Sequence, residues 1–218
     1  MDYLFIFLTS LAVGFSGAAS PGPLLTVTIN ESYKKGFLVG PLMMVGHSIL
    51  ELFLLVIIFM GLDRYLRLDL VIGSISFFGS FLLVILGINI LKDVFREHLS
   101  FKLSNKKSVG MHPIISGILV SLSNPFWTIW WIMIGYPLIF ILIDKISLRL
   151  FGIFVFYMGH ILSDFIWYSF VSYSVVYGKK FISEKYFKII ISICGIFLIY
   201  LAGYFFITGI NKLGLKLF

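Results

Sequence analysis

Six long stretches of this chain carry very little charge, and short gaps between them hold most of the rest. The stretches run at about 3–30, 37–60, 70–91, 113–143, 149–177 and 186–209. A hydrocarbon core about 30 Å thick is crossed by roughly 20 apolar residues in an α-helix. Each stretch is long enough for one crossing, and together they fill most of the 218 residues, leaving no length for a soluble domain. Only 12% of the residues are charged and the mean hydropathy is +1.05, whereas a soluble domain carries about 25% charged residues. In lipid the backbone must satisfy its own polar groups, which a helix does within one segment. The expected architecture is an all-α integral membrane protein with six transmembrane helices, one membrane domain over residues 1–218.

The net charge of +7 does not point to nucleic acid, because the Lys and Arg sit in the gaps where membrane topology places them. With the N-terminus outside, the inward connections hold eleven basic residues: Lys34, Lys35, Lys92, Arg96, Lys102, Lys106, Lys107, Lys179, Lys180, Lys185 and Lys188. The outer side holds six: Arg64, Arg67, Lys145, Arg149, Lys212 and Lys216. That bias predicts a multi-pass protein of the inner (plasma) membrane with both termini outside. Residues 1–20 end in small residues, as a cleaved signal would, yet the only early charge is Asp2, so they read as a retained first helix. The single cysteine, Cys194, lies in an apolar run, so neither an intrachain disulfide nor a Cys-based metal site is available.

Three features recur in the same order in the two halves of the chain. Ser20-Pro21-Gly22-Pro23 interrupts run one, and Ser123-Asn124-Pro125 interrupts run four. Gly46-His47-x-x-x-Glu51 in run two matches Gly159-His160-x-x-x-Asp164 in run five. Gly79 and Gly87 in run three are eight apart, as are Gly195 and Gly203 in run six. The expected plan is repeat one (1–91), a basic linker (92–112) and repeat two (113–218). Three crossings per half is an odd number, so the second half enters the membrane upside down. Such inverted repeats are a common plan in secondary transporters.

The interruptions carry chemistry. Proline removes a backbone donor and clashes with the carbonyl one turn earlier, so helices one and four are expected to break at their prolines. A freed backbone group in lipid needs protein or cavity water to satisfy it. The helix starting after each break offers free amides and a positive dipole end to an anion such as a carboxylate. Ser20, Pro21, Gly22, Pro23, Ser123, Asn124, Pro125 and Trp127 are therefore the candidate substrate-binding residues. A plain proline kink that curves a helix around its neighbour is the competing reading.

His47, Glu51, His160 and Asp164 are the candidate ion-coupling residues. Each His and its acid are four apart, so both lie on one helix face. An Asp near a helix centre costs about 2.5–3.5 kcal/mol on an insertion scale, while a Leu returns only about 0.3–0.6 kcal/mol. Such residues face a polar interior and serve as proton relays or substrate partners. The competing role is packing glue between helices, worth about 1 kcal/mol. Trp127, Trp130 and Trp131 share a face after the second break and could line a cation-friendly pocket, with packing or an interfacial belt as the simpler role. Gly36-x-x-x-Gly40 reads as a close-packing motif. Asn30 and Glu31 read as a solvated helix end, with a gate as the alternative.

Gly17-x-x-Ser20-Pro21-Gly22-Pro23, the glycine-spaced second helix and Asn124-Pro125 resemble the lysine exporter (LysE/RhtB-type) translocator family over essentially the whole chain. The resemblance implies six helices and export of amino acids or related small metabolites, driven by an ion gradient. By that analogy Pro21, Gly22, Pro23, Asn124 and Pro125 match the most typical positions, and Asp164 sits where an acid is common in helix five. Leu24 stands where many members have Asn, and the doubled His–acid pattern is more pronounced than in a typical member.

The expected function is a secondary exporter in which Glu51 and Asp164 bind a proton or the substrate ammonium in turn. The alternative is a divalent metal-ion exporter, since His and carboxylate ligate such ions. A thiol-electron carrier lacks its paired cysteines. An enzyme is not expected, because neither His-Glu-x-x-His nor Gly-x-Ser-x-Gly occurs. No cofactor is expected. The expected partners are a small-molecule substrate, a proton or sodium ion and membrane lipid, with a homodimer through small-residue faces.

Overall fold

The computed structural model describes residues 3–62, 68–95, 111–143, 148–178 and 184–215. All regular structure among them is helical. The helices are α1 (Tyr3–Ala18), α2 (Pro23–Lys35), α3 (Val39–Ile57), α4 (Asp69–Phe95), α5 (Pro113–Leu122), α6 (Pro125–Trp130), α7 (Tyr136–Ile143), α8 (Arg149–Gly178) and α9 (Glu184–Lys212). A π-helical turn, Ile58–Leu62, prolongs α3, and another, Trp131–Gly135, joins α6 to α7 in one apolar span, Pro125–Ile143. Among the described residues, five spans are long and apolar enough to cross a membrane, and α1 with α2, bent by 78° at the break, passes the same test as a pair. Most of the basic linker, including Arg96, Lys102, Lys106 and Lys107, lies outside the described residues, as do Arg64, Arg67, Lys145, Lys179, Lys180 and Lys216.

Local chemistry explains the boundaries. α2, α5 and α6 each begin with a proline, where the missing N–H is one of the unpaired donors of any helix start. Asn124 caps α6, its Oδ1 accepting from the Phe126 amide at 3.2 Å, and His112 caps α5 through the Ile114 amide at 3.4 Å. Gly22 caps α2 with extended backbone and no side chain. Lys34 and Lys35 close α2, where positive charge complements the dipole. Gly36 follows at φ +96°, a conformation glycine adopts freely. That placement revises the packing motif: a Cβ on Gly36 would meet nothing within 4 Å, while Gly40 packs on the Tyr168 carbonyl.

The second helix of each half leans on the first segment of the other. α3 packs along α5, where Gly46 abuts the Ile114 carbonyl and Gly117 abuts the Met43 carbonyl. α8 packs along α1, where Gly159 abuts the Phe7 carbonyl. α4 and α9 form the most extensive helix pair. Backbones come this close only where a side chain is absent.

Two apolar clusters hold the bundle. One gathers Val27, Met43, Met44, Leu83, Tyr168, Leu198 and Phe205; the other gathers Ile6, Leu54, Leu55, Trp131, Ile139 and Phe156. α3 enters the first at Met43 and the second at Leu54, while α8 does the reverse, at Tyr168 and Phe156, so the two helices run antiparallel. On both helices the His and acid fall between the clusters. α2 differs from the other helices: it is rich in polar residues, and Thr26, Thr28, Asn30 and Ser32 are all buried. Its surroundings are α8, α3, α9, α5 and α4, and the Ser32 and Ser172 hydroxyls hydrogen-bond at 2.7 Å.

Candidate functional site

Between the clusters, the two His–acid pairs merge into a single group. His47 Nε2 stands 3.2 Å from Glu51 Oε1 within its own helix, but His160 Nε2 reaches the same oxygen at 3.1 Å from α8. Asp164 Oδ2 lies 3.7 Å from His160 Nε2 and 3.9 Å from His47 Nε2. All four side chains are buried. An ionised carboxylate only accepts hydrogen bonds, so each contact with Glu51 places a proton on Nε2.

The tryptophans complete the arrangement. The Trp131 and Trp127 indole N–H groups both donate to Glu51 Oε1, at 2.8 and 3.0 Å. They can do so because the residues are four apart and project from one face. The Trp130 ring stacks on His160 with centroids 4.8 Å apart, and Trp131 meets His160 edge-on at 4.9 Å. Trp131 is fully buried. The interfacial-belt reading of this triplet is therefore wrong: these indoles bind the central carboxylate and imidazole.

Glu51 Oε1 thus receives four donors, while other polar atoms have none. Glu51 Oε2, Asp164 Oδ2 and His160 Nδ1 are buried without a hydrogen-bond partner. Unpaired buried polar groups are costly and mark places where a ligand, ion or water belongs. The histidines differ: His47 Nδ1 pairs with the Ser121 hydroxyl at 2.7 Å, whereas His160 Nδ1 faces Gly14.

A cavity of about 320 Å³ opens onto this cluster. Of the sequence-predicted residues, Ser20, Pro21, Gly22, Asn124, Trp127, His47, Glu51, His160 and Asp164 line it. The structure therefore brings both helix breaks and both His–acid pairs to one place. Pro23, Ser123 and Pro125 do not line it. Pro23 and Pro125 are buried as the first residues of α2 and α6, and the Ser123 hydroxyl is turned back to the Val120 carbonyl at 2.8 Å. The helix ends differ too. Asn124 already occupies the Phe126 amide, so only the α2 start, with its glycine cap, keeps first-turn amides clear of a capping side chain.

Sequence reasoning missed Ala18, Ser121, Phe126 and Tyr168 in the lining, and had named Gly17 and Leu24 only for the family resemblance. Tyr168 extends the four-residue spacing of His160 and Asp164 by one step and was legible on that ground. Ser121 and Phe126 had no such signal. Asn30 and Glu31 are not a solvated helix end: Asn30 is buried, Glu31 pairs with Lys35 at 2.6 Å, and Lys35 Nζ donates to the Met111 carbonyl at 3.0 Å. A wider groove of about 540 Å³ runs along Lys185, Lys188, Ile189, Ser192 and Ile193, all on α9.

Comparison with known proteins bears on this arrangement. The chain is similar to the "Putative amino acid efflux protein YcgF" of Bacillus subtilis (strain 168), at 26% identity over 208 residues, 95% of this chain and 98% of the relative. It is also similar to the "Chemotactic transduction protein ChpE" of Pseudomonas aeruginosa, at 26% identity over 200 residues, 92% of this chain and 97% of the relative. No solved structure matches the chain. The sequence pattern of the LysE type translocators matches residues 15–209, a range that takes in both breaks and all four central ionisable residues. With its multi-pass helical fold, the chain belongs to the LysE type translocator family.

Proposed function

We propose that this translocator is a secondary exporter of amino acids or similar small metabolites in the inner membrane, driven by an ion gradient. The observation that carries the proposal is the buried group of His47, Glu51, His160 and Asp164 at the end of a cavity bounded by two helix breaks. A substrate carboxylate would lie at the start of α2, near Gly22, where the dipole favours negative charge. The substrate ammonium would meet Asp164 and Glu51, whose unpaired oxygens call for a donor. A proton taken by the same cluster would compete with that ammonium, and this competition couples the two fluxes. The relative's name as an amino acid efflux protein agrees with the reading. The reciprocal packing of α3 on α5 and α8 on α1 supports two inverted three-helix repeats, with both termini outside by the charge bias.

Purified protein in liposomes loaded with labelled amino acids, under an imposed pH or sodium gradient, tests the proposal. Gradient-dependent efflux of at least one amino acid is expected. No flux of any of the twenty under either gradient would refute it.

One observation favours a second reading, export of a divalent metal ion. A ring nitrogen of His47 and a carboxylate oxygen each of Glu51 and Asp164 lie within 4.8 Å of one another, a donor set suited to such an ion. Metal tolerance of an expressing host would then fall in Glu51→Gln and Asp164→Asn. Unchanged tolerance in both variants removes this reading.

A further inference from the structure

We propose that the cavity selects substrates with a single ammonium group and an apolar side chain, and rejects those with a second positive charge. This inference rests on the export function proposed above and specifies its substrate. Three features of the cavity carry it.

The first is how the negative charge is distributed. Glu51 Oε1 is fully engaged, accepting from the Trp127 and Trp131 indoles and facing both imidazoles within 3.2 Å. Glu51 Oε2 and Asp164 Oδ2 remain, both buried and both without a donor. An ammonium carries three N–H donors on a compact centre and satisfies two such oxygens at once. Carboxylate oxygens of the two acids approach within 4.8 Å, so there is room there for one cation and not two. One ammonium between these oxygens supplies the donors that both lack.

The second is the rest of the lining. Beyond the cluster every lining residue is uncharged: the Pro21-Gly22 break, apolar and aromatic groups such as Leu24, Phe126 and Trp127, and the neutral polar Ser20, Ser121 and Asn124. Among the described residues, Glu51 and Asp164 are the only acids in the lining, so a second cation would be buried without a counter-charge, a costly state in a lipid-embedded cavity. The aromatic walls do not replace a carboxylate: Trp130 has one face stacked on His160, and Trp127 meets His47 edge-on. Apolar side chains, by contrast, gain from burial against Leu24 and Phe126.

The third is size. A volume of about 320 Å³ lies at the small end of ligand pockets, which run from about 300 to 1,000 Å³. It suits a compact branched or unbranched side chain.

The test is counterflow exchange in proteoliposomes, comparing labelled leucine, valine and methionine with labelled lysine, arginine, serine and aspartate. Exchange of at least one of the first three is expected at ten-fold or more above each of the last four. In Asp164→Asn that exchange is expected to fall at least ten-fold, with partial recovery in Asp164→Glu and unchanged elution of both variants on size exclusion. Lysine or arginine exchanging as fast as the apolar set would overturn the inference and leave the export function standing. So would a preference for serine or aspartate. Exchange of no amino acid at all would overturn the export function and this inference together.

Discussion

Replacing Trp131 with phenylalanine isolates what holds the central carboxylate in place. The indole N–H donates to Glu51 Oε1 at 2.8 Å, and the ring is fully buried. Phenylalanine keeps an aromatic ring there but removes the donor. A hydrogen bond to a charged group is worth about 1.5–3 kcal/mol and a neutral one about 0.5–1.5 kcal/mol. Polar pairs inside membrane proteins average about 0.6 kcal/mol and reach about 1.7 kcal/mol. Trp131→Phe alone would also lose packing volume, so its total cost mixes two effects. A double-mutant cycle with Glu51→Gln separates them, because lost volume is common to both backgrounds. The expected coupling between Trp131→Phe and Glu51→Gln is about 1–1.5 kcal/mol, within the range for such pairs and read from reversible unfolding in mixed micelles. Trp130→Phe is the internal control, since its indole N–H makes a 3.5 Å contact with Ser16 and none with Glu51, while phenylalanine keeps a ring to stack on His160. Its coupling to Glu51→Gln should stay below about 0.5 kcal/mol. If Trp131→Phe costs the same in the wild-type background as in the Glu51→Gln background, the reasoning is refuted, since the indole would then gain nothing from the carboxylate's charge.

Named contacts set the remaining expectations. A methyl group at Gly46 overlaps the Ile114 carbonyl, so Gly46→Ala should destabilise the α3–α5 contact by about 1–3 kcal/mol. Gly203→Ala, where a Cβ meets nothing within 4 Å, should instead gain about 0.5–1 kcal/mol; thermal unfolding in detergent compares the two. Ser121→Ala leaves His47 Nδ1 buried and unpaired and should cost about 1–3 kcal/mol, measured by the same unfolding assay, with Ser121→Thr close to wild type. Asp69→Asn breaks an exposed ion pair with Lys212 at 2.5 Å and should cost no more than about 0.2–1 kcal/mol, a difference that high salt removes.

Much of this arrangement could be read from the residues, because each signal was local. Charge-poor runs give crossings, Ser20-Pro21-Gly22-Pro23 gives the 78° bend, and His47 with Glu51 share a face by spacing alone. What escaped was set by tertiary contact. The shortest His–acid approach joins His160 to Glu51, 109 residues apart, rather than either within-helix pair. Ser123 looked like a site residue beside Asn124, yet its hydroxyl returns to its own helix. Gly36 had the spacing of a packing motif, but its positive φ puts it in a turn. Trp131 carried no mark separating a carboxylate donor from an interfacial anchor, since both uses need the same side chain.

The polar character of α2 has a consequence for how the protein is made. A thirteen-residue helix bearing Thr26, Thr28, Asn30 and Ser32 gains little from lipid and is instead enclosed by other helices. Its neighbours include α5, α8 and α9, and the hydroxyl that meets Ser32 belongs to Ser172, so the first half of the chain is made before any of those partners exists. Without those partners the polar side chains of α2 would face hydrocarbon, where unpaired polar groups are costly. Burial of α2 therefore depends on helices that come much later in the chain. The polar side chains of α2 are enclosed only once α5, α8 and α9 of the carboxy-terminal half are in place.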